Sequence, residues 1–270
     1  MVEAVVNPER RSARLSAELL TLEGDALRLW RDADERRQAL EVLVGAWERG
    51  NSDALRSAVQ RWDDAVVAGL QVLGLPRGPI ADIVVESFGR TWLGRKAPNC
   101  LLLIDGDVLR SAVRSRQSPD EVFRTWVHES LHGRAPFVLS DVRRHYETRG
   151  YEEGLVEGLA RVITRDRAGM DIVEGPYTHY VRAYEALASV VGIEVEDLWR
   201  TLWHHPAGVV RDAFVGAVDE EWNRAIGLRL SRSQEARLLA VADRMFDVAE
   251  QRATVGDVRL LHDRWRLAFR

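Results

Sequence analysis

The stretch SPDEVFRTWVHESLHG, residues 118–133, decides how the rest of the chain is read. Ser118 can cap exposed amides, Pro119 suits the first helical position because its missing N–H costs nothing there, and Glu121 stands at the capping-box position. Together they predict a helix that starts near 119, carries Val122, Trp126, His128, Glu129 and His132, and ends at Gly133. On that helix His128 and His132 are four residues apart. Their imidazoles can therefore meet one ion, while Glu129 can face a water held by it. A carboxylate so placed accepts a proton from attacking water and later delivers it to a leaving amine.

Toward the carboxyl terminus, Ser140 can cap a helix through VRRHYET, and Gly150 separates it from YEEGLVEGLARVITR, residues 151–165. Leu155, Leu159 and Val162 support a helix there in spite of Gly154 and Gly158, each of which costs roughly 1 kcal/mol relative to Ala unless close packing needs it. A helix crossing is the plain explanation of both. Further helices are predicted over 177–190, 195–203, 207–225, 231–249 and 255–268. His204 and His205 end a helix before Pro206, where solvation or capping accounts for them. His145, among charged residues, reads as exposed.

Toward the amino terminus, Leu101 to Ile104 is a short apolar run, Asp105 and Gly106 supply a turn signal, and Val108 to Val113 can return as a second strand. Residues 1 to about 97 read as mostly helical. Ala13, Leu15, Leu19 and Leu20 begin an apolar pattern, and Leu40, Val42, Leu43 and Trp47 extend it. A helix over 53–72 buries Leu55, Val59, Trp62, Val66 and Leu70. Leu75, Pro76, Arg77, Gly78 and Pro79 break the pattern ahead of an expected short helix containing Ile80, Ile83, Val84 and Phe88. Trp30, Trp47, Trp62, Trp199, Trp203, Trp222 and Trp265 fit interhelical packing and need no cofactor.

Composition narrows the chemistry. In 270 residues, 38 Lys+Arg against 42 Asp+Glu give a formal charge of -4, which offers no general attraction for nucleic acid or an anionic membrane. Cys100 is the single cysteine, so an intramolecular disulfide and a cysteine-rich structural zinc site are both excluded, and it reads as a buried filler. Any metal must rely on His, Asp or Glu. The first residues lack the apolar segment of a secretory signal, and no stretch reaches about 18 uninterrupted apolar residues. The expectation is a cytoplasmic chain with no membrane insertion.

Over roughly residues 99–165 the arrangement resembles gluzincin-type zinc metalloproteases, in which a histidine pair on one helix is joined by a glutamate from a following helix after about twenty residues. Here twenty residues separate His132 from Glu153, and Glu153-Gly154-Leu155-Val156-Glu157 looks like the glutamate-bearing helix. The resemblance implies Glu153 as third ligand, with Glu157 an acid one turn later that orients His128 or His132. Glu157 stays open as an alternative ligand. Gly133-Arg134-Ala135-Pro136 is not followed by a third histidine, which separates the chain from the metzincin branch. Such proteases also use a tyrosine or histidine beyond the glutamate helix to stabilise an oxyanion. In GPYTHYVRAYEALA, Tyr177 is the first choice for that role over His179 and Tyr180.

The expected architecture is mainly α with a small β-sheet: a zincin-like metalloprotease core over 98–190, an amino-terminal helical module over 1–97 and a helical cap over 191–270. The resemblance implies Zn2+ as cofactor, a peptide or protein substrate, and amide hydrolysis with Glu129 activating zinc-bound water. The alternative is a catalytically inactive zinc-binding module that recognises a protein.

Overall fold

The computed structural model describes residues 25–76, 78, 80, 82–89, 93–96, 101–135, 148–170, 175, 177–205 and 209–250. The helices expected from Ser140 and over 255–268, the pattern at Ala13 to Leu20, and Cys100, His145, His262 and Trp265 lie outside them. The described residues are mainly helical, with one small sheet. They fall into two compact units: one from the described residues within 1–134 and 160–173, the other from those within 135–159 and 174–270.

In the first unit, α1 (Asp25–Arg31), α2 (Ala33–Glu48) and α3 (Ser52–Val72) pack on the helix Pro119–Arg134. Their starts follow from local chemistry. Asp32 accepts from the Asp34 and Glu35 amides at 2.8 and 3.4 Å to cap α2, and Asn51 accepts from the Ala54 amide at 3.0 Å to cap α3. Trp30, Leu43, Trp62, Leu70, Phe123 and Trp126 form the buried centre. Phe123 meets Trp30 edge-on at 5.0 Å and Trp62 at 5.4 Å, and Trp62 meets Trp126 at 5.1 Å. The packing role expected of Trp30 and Trp62 is therefore observed.

The sheet is built from β1 (Asp82–Glu86), β2 (Gly94–Lys96) and β3 (Leu101–Asp105) in the order β1-β3-β2. β3 runs parallel to β1, with Val84 opposite Leu103, and antiparallel to β2, with Gly94 opposite Ile104. Two expectations are corrected here. The segment around Ile83 and Val84 is strand β1 and not a short helix: the β-branched run Ile83-Val84-Val85 fits a pleated surface, and pairing with β3 satisfies its backbone. The expected returning strand over Val108–Val113 is instead helix α4 (Gly106–Arg114). Asp105 caps it by accepting from the Asp107 and Val108 amides at 2.9 and 3.3 Å, so Asp105-Gly106 acts as a helix start and not as a hairpin turn.

Helix α5 (Pro119–Arg134) follows, beginning where Ser118-Pro119 predicts. Helix α6 (Arg149–Arg161) contributes residues to both units and continues into a π-helical segment, Val162–Arg167. The second unit adds α7 (Thr178–Val191), α8 (Val195–Trp203), α9 (Val210–Ile226) and α10 (Arg232–Glu250), close to the expected spans. Within it Tyr151, Tyr184, Phe214 and Phe246 pack ring against ring. The glycines of α6 serve this packing: an added Cβ would fall 2.9 Å from the Tyr184 ring at Gly154 and 2.5 Å from the Trp199 ring at Gly158. No helix among the described residues is long and apolar enough to cross a membrane.

Candidate metal centre

Helix α5 is fixed at both ends by buried ion pairs. Near its start, Asp120 accepts from Arg36 Nη2 at 2.6 Å and Nε at 2.9 Å, and Arg36 Nη1 also donates to the carbonyl oxygens of Leu29 and Trp30 at 2.7 and 3.2 Å. At its last residue, the wholly buried Arg134 donates to Asp63 of α3. Between these anchors Val122, Phe123, Trp126, Val127 and Leu131 are buried, which sets the rotation of the helix about its axis. That rotation leaves His128 and His132 buried, at 3% and 9% exposure, with ring centroids 4.8 Å apart and planes at 72°.

Helix α6 supplies the carboxylate. Its apolar residues Leu155, Val156, Leu159 and Ala160 are buried, Glu153 is half-buried, and Glu152 and Glu157 are buried. Of these acids it is Glu153 that converges with the histidines. His128, His132 and Glu153 each offer one ligand atom, and these atoms all lie within 4.8 Å of one another. Glu157 is not among the three converging donors. Glu152 lies with Tyr184, whose phenol is pushed well up by burial and further by that carboxylate.

The donor set fits zinc. Two imidazoles and one carboxylate are the protein ligands of one class of catalytic zinc site, which keeps a fourth position open. Bonds of about 2.1 Å place tetrahedral donors about 3.4 Å apart. The ligand atoms of the three side chains lie within 4.8 Å of one another, a separation of the same order.

Glu129 is half-buried on α5, and its side chain lies against the backbone of Gly94 in β2. Among the described residues β2 pairs on one side only, with β3, so it forms the outer edge of the sheet beside Glu129. Tyr177 stands immediately before α7, half-buried and stacked on the buried Tyr180 at 6.3 Å, while the half-buried His179 ring sits 4.1 Å from that of Tyr180. His204 caps the end of α8, as its place before Pro206 suggests. Gly94 carried no signal in the sequence, since a lone glycine in TWLGRKAP has no period and its neighbour lies 35 residues along the chain. Set against models of protein families, curated proteins and solved structures, the chain matches none of them.

Proposed function

We infer that the chain is a zinc-dependent peptidase of zincin type that hydrolyses amide bonds of a peptide or protein, its core within residues 98–190 flanked by modules over 1–97 and 191–270. The observation that carries this reading is the convergence of Glu153 with a histidine pair whose four-residue spacing lets both imidazoles meet one ion. When bound, the ion supplies Lewis acidity that polarises the amide carbonyl and makes a water more acidic. His128, His132 and Glu153 hold it. Glu129 takes the proton of the attacking water and returns it to the departing amine nitrogen. Glu157 receives an imidazole N–H and fixes the ring that carries it. Tyr177 donates its phenol to the developing oxyanion. The outer strand β2 offers its backbone to an extended peptide, which would add a strand beside Glu129. We place this activity in the cytoplasm.

The test compares the parent with Glu129→Gln on fluorescently labelled denatured casein after zinc loading. The variant keeps its zinc and loses turnover by about 10²- to 10⁴-fold, the range of a general base. Undiminished turnover in the loaded variant would remove Glu129 from that role. Stoichiometric zinc with no hydrolysis by the parent would favour the catalytically inactive interaction module.

A further inference from the structure

We propose that Gly94 is a positioning residue for Glu129: having no Cβ, it lets the outer strand lie against the stem of that side chain and so fixes where the carboxylate stands. The inference rests on reading Glu129 as the base beside a bound ion. A Cβ built on Gly94 would fall 2.6 Å from Glu129 Cγ, 2.9 Å from its Cβ and 3.0 Å from its Cδ. Those are the consecutive carbons of the stem. Rotation about χ1 would move Cγ and Cδ away but would leave Cβ in place. Gly94 does not have the positive φ that would itself demand glycine. What the position requires is therefore space.

Neither wall of this contact is free to retreat. Gly94 stands opposite the wholly buried Ile104 of the central strand, and next to it the Asp105 amide donates to the Leu93 carbonyl at 2.7 Å. On the other side α5 is tied by Arg36 to Asp120 and by Arg134 to Asp63. A methyl group added at Gly94 must be accommodated chiefly by Glu129, and a displacement of about 1 Å in a catalytic group can cost about a hundredfold in rate.

The experiment uses the full chain loaded with Co(II), whose visible absorption reports the surroundings of the ion. Glu129→Gln supplies the reference spectrum for a lost carboxylate. Gly94→Ala should shift the bands in the same direction, bind Co(II) as the parent does, add no further shift in the Glu129→Gln background, and turn over labelled casein about a hundredfold more slowly with KM little changed. A merely structural glycine would not move the spectrum. If Gly94→Ala fails to fold, adding Glu129→Gly removes the stem that the methyl meets. Recovered cooperative melting then supports the contact, and continued failure to fold overturns it. A parent that takes up no Co(II) would end the metal reading and the positioning role with it. A parent that binds Co(II), with a spectrum that Gly94→Ala leaves unchanged or shifts equally without the Glu129 carboxylate, would overturn the positioning role alone.

Discussion

The ends and the middle of helix α5 both bury polar groups, yet they do so by opposite rules. At the ends each buried charge meets its opposite within the protein: Asp120 with Arg36, and Arg134 with Asp63. In the middle, His128 and His132 come together with Glu153, all groups that can present lone pairs to one point. The first arrangement closes its charge account internally and holds the helix. The second has the composition of a ligand set. The comparison separates residues that make the helix from residues that the helix presents.

The largest expected effect breaks the comparison at an end. Asp63→Ala leaves the Arg134 guanidinium buried without its carboxylate, and loss of one member of a buried pair costs about 3–5 kcal/mol. Urea unfolding should show this loss. Replacing both partners, Asp63→Leu with Arg134→Met, should restore much of it, because the paired charges are then replaced by apolar packing. A loss near zero for Asp63→Ala would mean that the anchor does not hold α5.

In the middle the expected readout is metal affinity. Glu153→Ala should weaken zinc binding more than Glu157→Ala, whose loss misorients a histidine and lowers affinity by about 10- to 100-fold. Competitive zinc titration of both folded variants decides the order. A larger loss for Glu157→Ala would exchange the two roles.

The smallest effect sharpens the contrast with a pair nearer the surface, half-buried Asp219 and exposed Arg229. Asp219 accepts from the Leu230 amide at 2.6 Å and from Arg229 at 2.7 Å, and chiefly through the backbone amide its carboxyl is held below its usual value. A depressed folded pKa stabilises the protein above the unfolded value, and that contribution is lost as pH falls through the folded one. Asp219→Asn should therefore cost about 1 kcal/mol at neutral pH. The difference should shrink as the solution is acidified through the carboxylate range. A difference that does not depend on pH would assign the effect to packing.

What could be read from the sequence was local. Ser118-Pro119 marked the start of α5, the four-residue spacing put both histidines on one face, and the span 195–203 coincides with α8. The resemblance implies Glu153 as the third ligand with Glu157 as the alternative, and it is Glu153 that meets the histidines. What could not be read was decided by distant partners. Ile83-Val84-Val85 is too short to show a period, and it is a strand because Leu102, Leu103 and Ile104 pair with it. Asp105-Gly106 suits both a turn and a helix start, and only the chain direction after β3 selects the cap. Gly94 shows its use only when β2 is laid against α5.

The central claim is that the middle of α5 and the glutamate of α6 hold one catalytic-type zinc ion. Protein purified without added metal, assayed for bound metal and then crystallised for anomalous scattering at the zinc edge, tests it most directly. The expected result is one zinc per chain, bonded to His128, His132 and Glu153, with a further coordination position open to solvent. Fully zinc-loaded protein with no anomalous peak at these three residues would contradict it.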